Sequence, residues 1–277
     1  MKHACVIGWP IEHSRSPLIH GYWLAHYAIA GSYTKIAVPP LDLGGFLASL
    51  AERGFAGCNV TVPHKEEAFA ACIHRAASAI AVGAANTLWL ADGALHCANT
   101  DTYGYMTYLA QVAPNWAQRD APVAILGAGG AARAIIHGFL QAGVAEIRLF
   151  NRSRDRAEAL AGMFGPRIKV CPWDQRSQLS RNAGVLVNTT SLGLKSTGGI
   201  GIDFADFHPG CVVSDIVYVP LETAFLASAR HHGLATVDGL GMLLHQAVPG
   251  FALWFGHRPE VTPELTALIR ADILTGA

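Results

Sequence analysis

The chain has 277 residues, 51% of them hydrophobic and 14% charged, which gives ample material for a core and excludes an intrinsically disordered protein. Lysine plus arginine equals aspartate plus glutamate at 20 each, so the formal net charge is zero and nothing global points to nucleic acid or an anionic membrane surface. No uninterrupted apolar stretch is long enough to span a bilayer, the N-terminal apolar run is too short for a signal peptide, and Cys5, Cys58, Cys72, Cys97, Cys171 and Cys211 form no CxxC pair, so the expected setting is the reducing cytoplasm.

Short β-rich runs alternate with stretches of helical length. "ACVIG" (4–8), "TKIAV" (34–38) and "GCNVTV" (57–62) read as buried strands, with helical patterns over 15–30 and 41–53 between them and Gly54 as a helix C-terminal glycine. This βαβαβ order predicts right-handed crossovers and a mostly parallel sheet. The first strand leads into "GWPIEHSRSPLIH", where Ser14 and Ser16 flank Arg15. Hydroxyls there suit a carboxylate or polyhydroxylated ligand, and helix capping is the plainer reading of Ser14 taken alone. The third strand carries Thr61, stops at Pro63 and is followed by His64 and Lys65. That is the carboxyl edge, where ligands sit in open α/β sheets, so Lys65 is either a working group or a solvated residue at a helix start.

"NTLWLADGALHCANTD" (86–101) contains two alternating runs around Asp92-Gly93, a strong hairpin signal, bounded by Asn86 and by Asp101. A lysine and an aspartate at neighbouring sheet edges can pair. The aspartate then orients the ammonium, which gives a proton to a developing alkoxide or takes one from an alcohol in reverse. A structural salt bridge is the competing reading.

Residues 103–121 form a helix and a polar connection, the expected domain boundary. A second α/β series follows. In "VAILGAGGAARA", Gly127, Gly129, Gly130 and Ala132 make a GxGxxA turn between a strand and a helix, with Ala128 and Ala131 inside it, the signature of a dinucleotide pyrophosphate site. The next strand, "EIRLF", ends in Asn151, Arg152, Arg154 and Arg156 where an NAD-binding unit usually places an acid. Cations there accommodate a 2′-phosphate, which predicts NADP, with a solvated helix start as the competing reading; Asp155 belongs to the helix that follows. "VNTTSLG" (187–193) would put Asn188 and Thr189 at the sheet's carboxyl edge, beside the nicotinamide half of the cofactor, although taken alone it reads as an ordinary polar loop. From Gly239, "GLGMLLHQAVPGFALWFG" reads as a long apolar helix bent near Pro249. In "TPELTALIRADIL", Thr262 reads as N-cap, Pro263 as the first helical residue and Glu264 as a first-turn acid. Thirteen histidines show no HExxH or Cys/His ligand spacing, so no metal site is expected, and no basic-aromatic stripe suggests nucleic acid.

The segments "VIGWPIEHSRSPLIH", "GCNVTVPHK", "GAANTL", "NTDTYG", "GAGGAARA", "NRSRDRA", "NTTSLG" and "DGLGMLLHQA" together resemble the shikimate dehydrogenase family, in order and over nearly the whole chain. The resemblance implies an α/β fold: an N-terminal substrate domain (1–103 with 245–277), a Rossmann-type NADP domain (104–244), and C-terminal helices returning to the first. It implies reversible NADPH-dependent reduction of 3-dehydroshikimate to shikimate in aromatic amino-acid biosynthesis, no membrane or nucleic-acid partner, and allows a homodimer. By the same match, Ser14 and Ser16 hold the substrate carboxylate, and Thr61, Asn86, Asp101 and Gln246 hold ring hydroxyls. Lys65 is the acid/base group with Asp101 beside it, Tyr218 in "DIVYVP" lies near the substrate, and Gly239 meets the nicotinamide. Two positions depart from the family pattern: His20-Gly21 stands where His-Asn is usual, and Leu194 where methionine is usual. The alternatives are a paralogue acting on quinate or an amino-shikimate, a folate-linked dehydrogenase, and a non-catalytic NADPH-binding regulator.

Overall fold

The computed structural model describes residues 1–192 and 199–276, so Leu194 and the end of the "NTTSLG" segment lie outside the described residues. The chain divides into two compact units, Met1–Thr102 with Leu244–Ala271, and Tyr103–Leu243 with Asp272–Ala277.

The first unit is built on β1 (Lys2–Gly8), α1 (Ser16–His26), β2 (Gly31–Ala37), α2 (Leu43–Ala48), β3 (Phe55–Val60), α3 (Lys65–Ala71), β4 (His74–Arg75), α4 (Ala77–Val82), β5 (Thr87–Ala91) and β6 (Ala94–Ala98). The sheet order is β2-β1-β3-β5-β6-β4. It is a mixed sheet: β1 lies parallel to β2 and to β3, and the β5–β6 hairpin adds antiparallel to β3. Asp92 and Gly93 both take positive φ, 51° and 75°, the conformation a type I′ hairpin turn requires. The core side chains include Cys5, Ile7, Leu43, Leu50, Cys58, Val60 and Leu88.

The helices are shorter than the sequence pattern predicts. The 15–30 pattern yields α1 from Ser16 to His26, and the 41–53 pattern yields a 3₁₀ turn at Pro40–Asp42 followed by the short α2. Gly44 and Gly45 inside α2 weaken it, because glycine loses most backbone freedom in a helix. Strand β3 ends at Val60 rather than at residue 62. Pro63 has no N–H to continue a ladder, Val62 is exposed, and the last bonds are Thr61 N–H to Ile7 O and Trp9 N–H to Val62 O.

The second unit holds most of α5 (Asp101–Val112), then β7 (Val123–Leu126), α6 (Gly130–Gln141), β8 (Ile147–Phe150), α7 (Arg154–Phe164), β9 (Ile168–Cys171), α8 (Arg176–Ser180), β10 (Val185–Asn188), β11 (Val212–Asp215), α9 (Ala224–His231) and β12 (Ala235–Val237). The order β9-β8-β7-β10-β11-β12 is all parallel, the 3-2-1-4-5-6 arrangement of a Rossmann sheet, with its switch point between β7 and β10. Strands buried on both faces need continuous apolar runs, and β7 and β10 are buried at every position.

The chain ends with α10 (Leu240–Phe255), which runs through Pro249, and α11 (Pro263–Thr275). Thr262 caps α11 as its sequence predicted, its hydroxyl accepting from Leu265 N–H. Residues of α10 from Leu244 onward belong to the first unit, where Trp254 Nε1 donates to Leu88 O at 2.8 Å.

Candidate active site

Lys65 is the first residue of α3, and Asp101 opens α5 just after the hairpin. The two local rules that place them, a proline stop after β3 and a tight hairpin, bring their side chains together. Lys65 Nζ donates to Asp101 Oδ2 at 2.6 Å. The lysine side chain is 20% exposed and the aspartate 7%, so one member meets solvent and the other is held inside.

Asn86 sits behind this pair and is buried. Its Nδ2 donates to Asp101 Oδ1 at 2.9 Å and to Thr100 Oγ1 at 3.0 Å, and lies 3.3 Å from Gln246 Oε1. Its Oδ1 accepts from Thr100 N–H at 2.8 Å and from the Thr87 hydroxyl at 3.1 Å. Four of the residues expected from sequence, Lys65, Asn86, Asp101 and Gln246, thus form one hydrogen-bonded group. Thr61 follows the last residue of β3, its methyl so close to Gly8 that a Cβ there would stand 2.6 Å away. Ser16 is buried at the start of α1, while the Ser14 hydroxyl accepts from Ser16 N–H at 3.4 Å. The N-cap position of α1 is Arg15, which supplies no side-chain cap, so Ser14 is not a helix cap in the usual sense.

Three residues absent from the expected set support the group. Asn59 on β3 accepts from the Tyr33 hydroxyl at 2.6 Å and donates to Asn86 O and Thr87 Oγ1. Thr100 donates to Gln246 O at 2.8 Å, and Asn99 Oδ1 accepts from Asp101 N–H at 3.0 Å. Asn99 and Thr100 stand inside the "NTD" segment, but nothing local shows that a strand-end amide will turn inward.

In the second unit the glycine turn joins β7 to α6. Gly127 has φ +108°, and a Cβ there would meet Thr189 Oγ1 at 2.6 Å, so the fold itself requires glycine. At Gly129 and Gly130 a Cβ would meet no protein atom. Their glycine is therefore not demanded by packing and leaves the helix N-terminus bare, as a pyrophosphate approaching the backbone needs. Ala132, buried in the core beneath α6, is the small residue that lets helix and sheet pack closely. The turn's remaining residues, Ala128 and Ala131, are partly buried.

Beyond β8, Asn151 Nδ2 donates to Ser153 O. Arg154 pairs with Glu158 one turn along α7, while Arg152 and Arg156 are exposed. That leaves two guanidinium groups, one in the turn after β8 and one in the first turn of α7, for a 2′-phosphate. The residues present therefore fit NADP.

Asn188 and Thr189 stand at the carboxyl edge, but both side chains are engaged by the protein. Thr189 Oγ1 donates to Leu126 O at 2.8 Å. Asn188 is buried and its Nδ2 donates at 2.9 Å to Asp215 Oδ1. Asp215, the last residue of β11, is not singled out by the sequence, where it reads as one more polar residue in "SDIVY". Burial pushes its pKa up to about 6, opposed by hydrogen bonds from Val217 N–H, Thr223 and Asn188. Tyr218 follows in the next loop, half-buried. Gly239 packs against that loop so closely that a Cβ would collide with Ile216 O.

These features define the class: an α/β protein of two units, the second a Rossmann-type dinucleotide-binding fold. Three family profiles match, described as the shikimate dehydrogenase substrate binding domain over residues 6–88, shikimate / quinate 5-dehydrogenase over 109–194, and the shikimate 5'-dehydrogenase C-terminal domain over 239–263. The shikimate dehydrogenase (NADP(+)) of Afipia carboxidovorans is 52% identical over 270 residues, 98% of this chain and 97% of that one. That of Brucella canis is 52% identical over 275 residues, 98% and 95% of the two chains. The structure of shikimate 5-dehydrogenase from Thermus thermophilus in complex with NADP(H) and shikimate superposes with a TM-score of 0.86 at 34% identity, covering 99% of this chain and 100% of that one. The chain belongs to the shikimate dehydrogenase family.

Proposed function

We propose that the protein catalyses the reversible NADPH-dependent reduction of 3-dehydroshikimate to shikimate, a step of aromatic amino-acid biosynthesis. The observation that carries this reading is the 2.6 Å Lys65–Asp101 pair, backed by buried Asn86, in a chain 52% identical to NADP-dependent shikimate dehydrogenases over 98% of its length.

When bound, NADP supplies or accepts the hydride. The chain's own residues handle the proton and the orientation. Lys65 Nζ gives a proton to the oxygen of the ketone as it becomes an alcohol, and takes it back in the reverse direction. Its partial exposure provides the route to solvent for the next proton. Asp101 keeps Nζ aimed through Oδ2, and Asn86 fixes the carboxylate through Oδ1. Thr61 and Gln246 complete the hydroxyl contacts, Ser14 and Ser16 take the substrate carboxylate, and Tyr218 closes on the substrate. For the cofactor, the turn Gly127-Ala128-Gly129-Gly130-Ala131 holds the pyrophosphate, and Asn151, Arg152 and Arg156 hold the 2′-phosphate end. The segments carrying Asn188, Thr189 and Gly239 border the nicotinamide half. Substrate binding thus falls to 1–103 with 245–277 and cofactor binding to 104–244. The reading extends to a cytoplasmic protein, on its free cysteines, and to a homodimer.

The test is shikimate oxidation followed by NADPH formation in the parent and in Lys65→Ala. A parent that turns over and a variant that does not support the reading. Equal rates remove Lys65 from the mechanism.

A further inference from the structure

Asp215 is fully buried, and no cation among the described residues pairs with it. Its carboxylate nevertheless gathers three separate segments. Oδ1 accepts from Asn188 Nδ2 at 2.9 Å and from Val217 N–H at 3.0 Å; Oδ2 accepts from the Thr223 hydroxyl at 2.8 Å. Asn188 and Thr223 pass the constraint on. Asn188 Oδ1 accepts from Thr190 N–H at 3.0 Å and from its hydroxyl at 2.7 Å, and Thr190 Oγ1 in turn accepts from Leu192 N–H. Thr223 Oγ1 accepts from Leu226 N–H and so caps α9. From the other side, Gly239 presses on the carbonyls of Ile216 and Val217. Residues 216–218 are thus held between a carboxylate and a glycine.

We propose that Asp215 is a positioning residue for the reaction: its carboxylate sets the loops 188–192 and 216–218, which present Asn188, Thr189 and Tyr218. This rests on the roles given to those three residues above. An unpaired buried carboxylate is costly to a fold, and burial accordingly raises its pKa to about 6. Asparagine has the same shape and removes that cost, yet it keeps only one accepting oxygen, so it cannot accept on one side from Asn188 and Val217 and on the other from Thr223 as the carboxylate does. A merely structural aspartate would lose stability on this change. A positioning carboxylate loses turnover instead.

The experiment compares the parent with Asp215→Asn and Asp215→Ala by thermal unfolding, NADPH titration, shikimate oxidation kinetics and amide hydrogen exchange. For Asp215→Asn we expect a thermal midpoint no lower than the parent's and an NADPH Kd within about threefold. We expect kcat to fall at least about tenfold, and exchange in 188–192 and 216–218 to speed up by a similar factor while β7 and α6 stay unchanged. Asp215→Ala, which leaves the Asn188, Val217 and Thr223 donors without an acceptor, should lower the thermal midpoint as well, with the same loss of turnover and of protection in the two segments. Parent-level exchange in both segments, or parent-level kcat in Asp215→Asn, overturns the proposal, as does a loss of activity that merely follows the folded fraction. If the parent does not oxidise shikimate, the functional reading fails, and the exchange data alone decide whether Asp215 sets the loops.

Discussion

Lys65 and Asp101 differ in exposure: the lysine side chain meets solvent, and the aspartate is almost covered and held by Asn86. Lys65→Ala should lower kcat by about 10²- to 10⁴-fold, the usual weight of a positioned general acid, while NADPH affinity, measured by fluorescence titration, changes little. A second residue-scale consequence concerns His20, which is buried and stacked on Tyr33 with neither ring nitrogen in a hydrogen bond. Burial pushes its pKa down to about 3, opposed weakly by the nearby Asn59 side chain. The folded protein therefore binds this proton less well than the unfolded chain. Stability is full above the unfolded value near 6.5 and falls as pH drops toward 3, by up to on the order of 4 kcal/mol. Asp215 has the opposite sign, its raised pKa costing stability as pH rises from about 4 through 6. His20→Phe should flatten the acid limb of the stability curve below pH 6.5, as read by urea midpoints; an unchanged acid limb would show that His20 is not the group responsible. Lys65 and Asp101 were legible in the sequence because strand stops and hairpin ends place them by local rules. The inward turn of Asn188 was not, since its partner Asp215 lies 27 residues away and only the parallel β10–β11 pairing brings them together.

At the scale of elements, the sheet of the first unit depends on one close approach. A Cβ at Gly57 on β3 would run into Leu88 O and Trp254 Nε1, the two atoms that hydrogen-bond α10 to β5. Gly57→Ala must therefore push α10 away, and we expect it to cost about 3 kcal/mol or more in urea unfolding, with Gly93→Ala in the exposed turn costing only about 1 kcal/mol. Similar costs for the two would mean that the α10 contact carries little. The hairpin was readable because Asp-Gly dictates a turn type. The glycine contact was not, because Gly57 meets a tryptophan far along the chain, in its last long apolar helix. Helix lengths failed where apolar pattern ran past glycines, as in α2.

The whole molecule joins a mixed sheet with a Rossmann sheet, and the chain order of motifs made that division legible: a lysine-bearing strand edge first, a glycine turn second. Cofactor choice belongs to this scale, since it pits one chain-wide function against a sister branch. With Arg152 just beyond β8 and Arg156 in the first turn of α7 both exposed, replacing both by glutamate should raise the KM for NADP at least about tenfold and leave NAD turnover less affected, which steady-state kinetics would read. The central claim is tested most directly by initial rates of reduced-nicotinamide formation, with shikimate and quinate each offered with NADP and with NAD. The account predicts activity confined largely to shikimate with NADP. A preference for quinate or for NAD, or no activity in any combination, would contradict it.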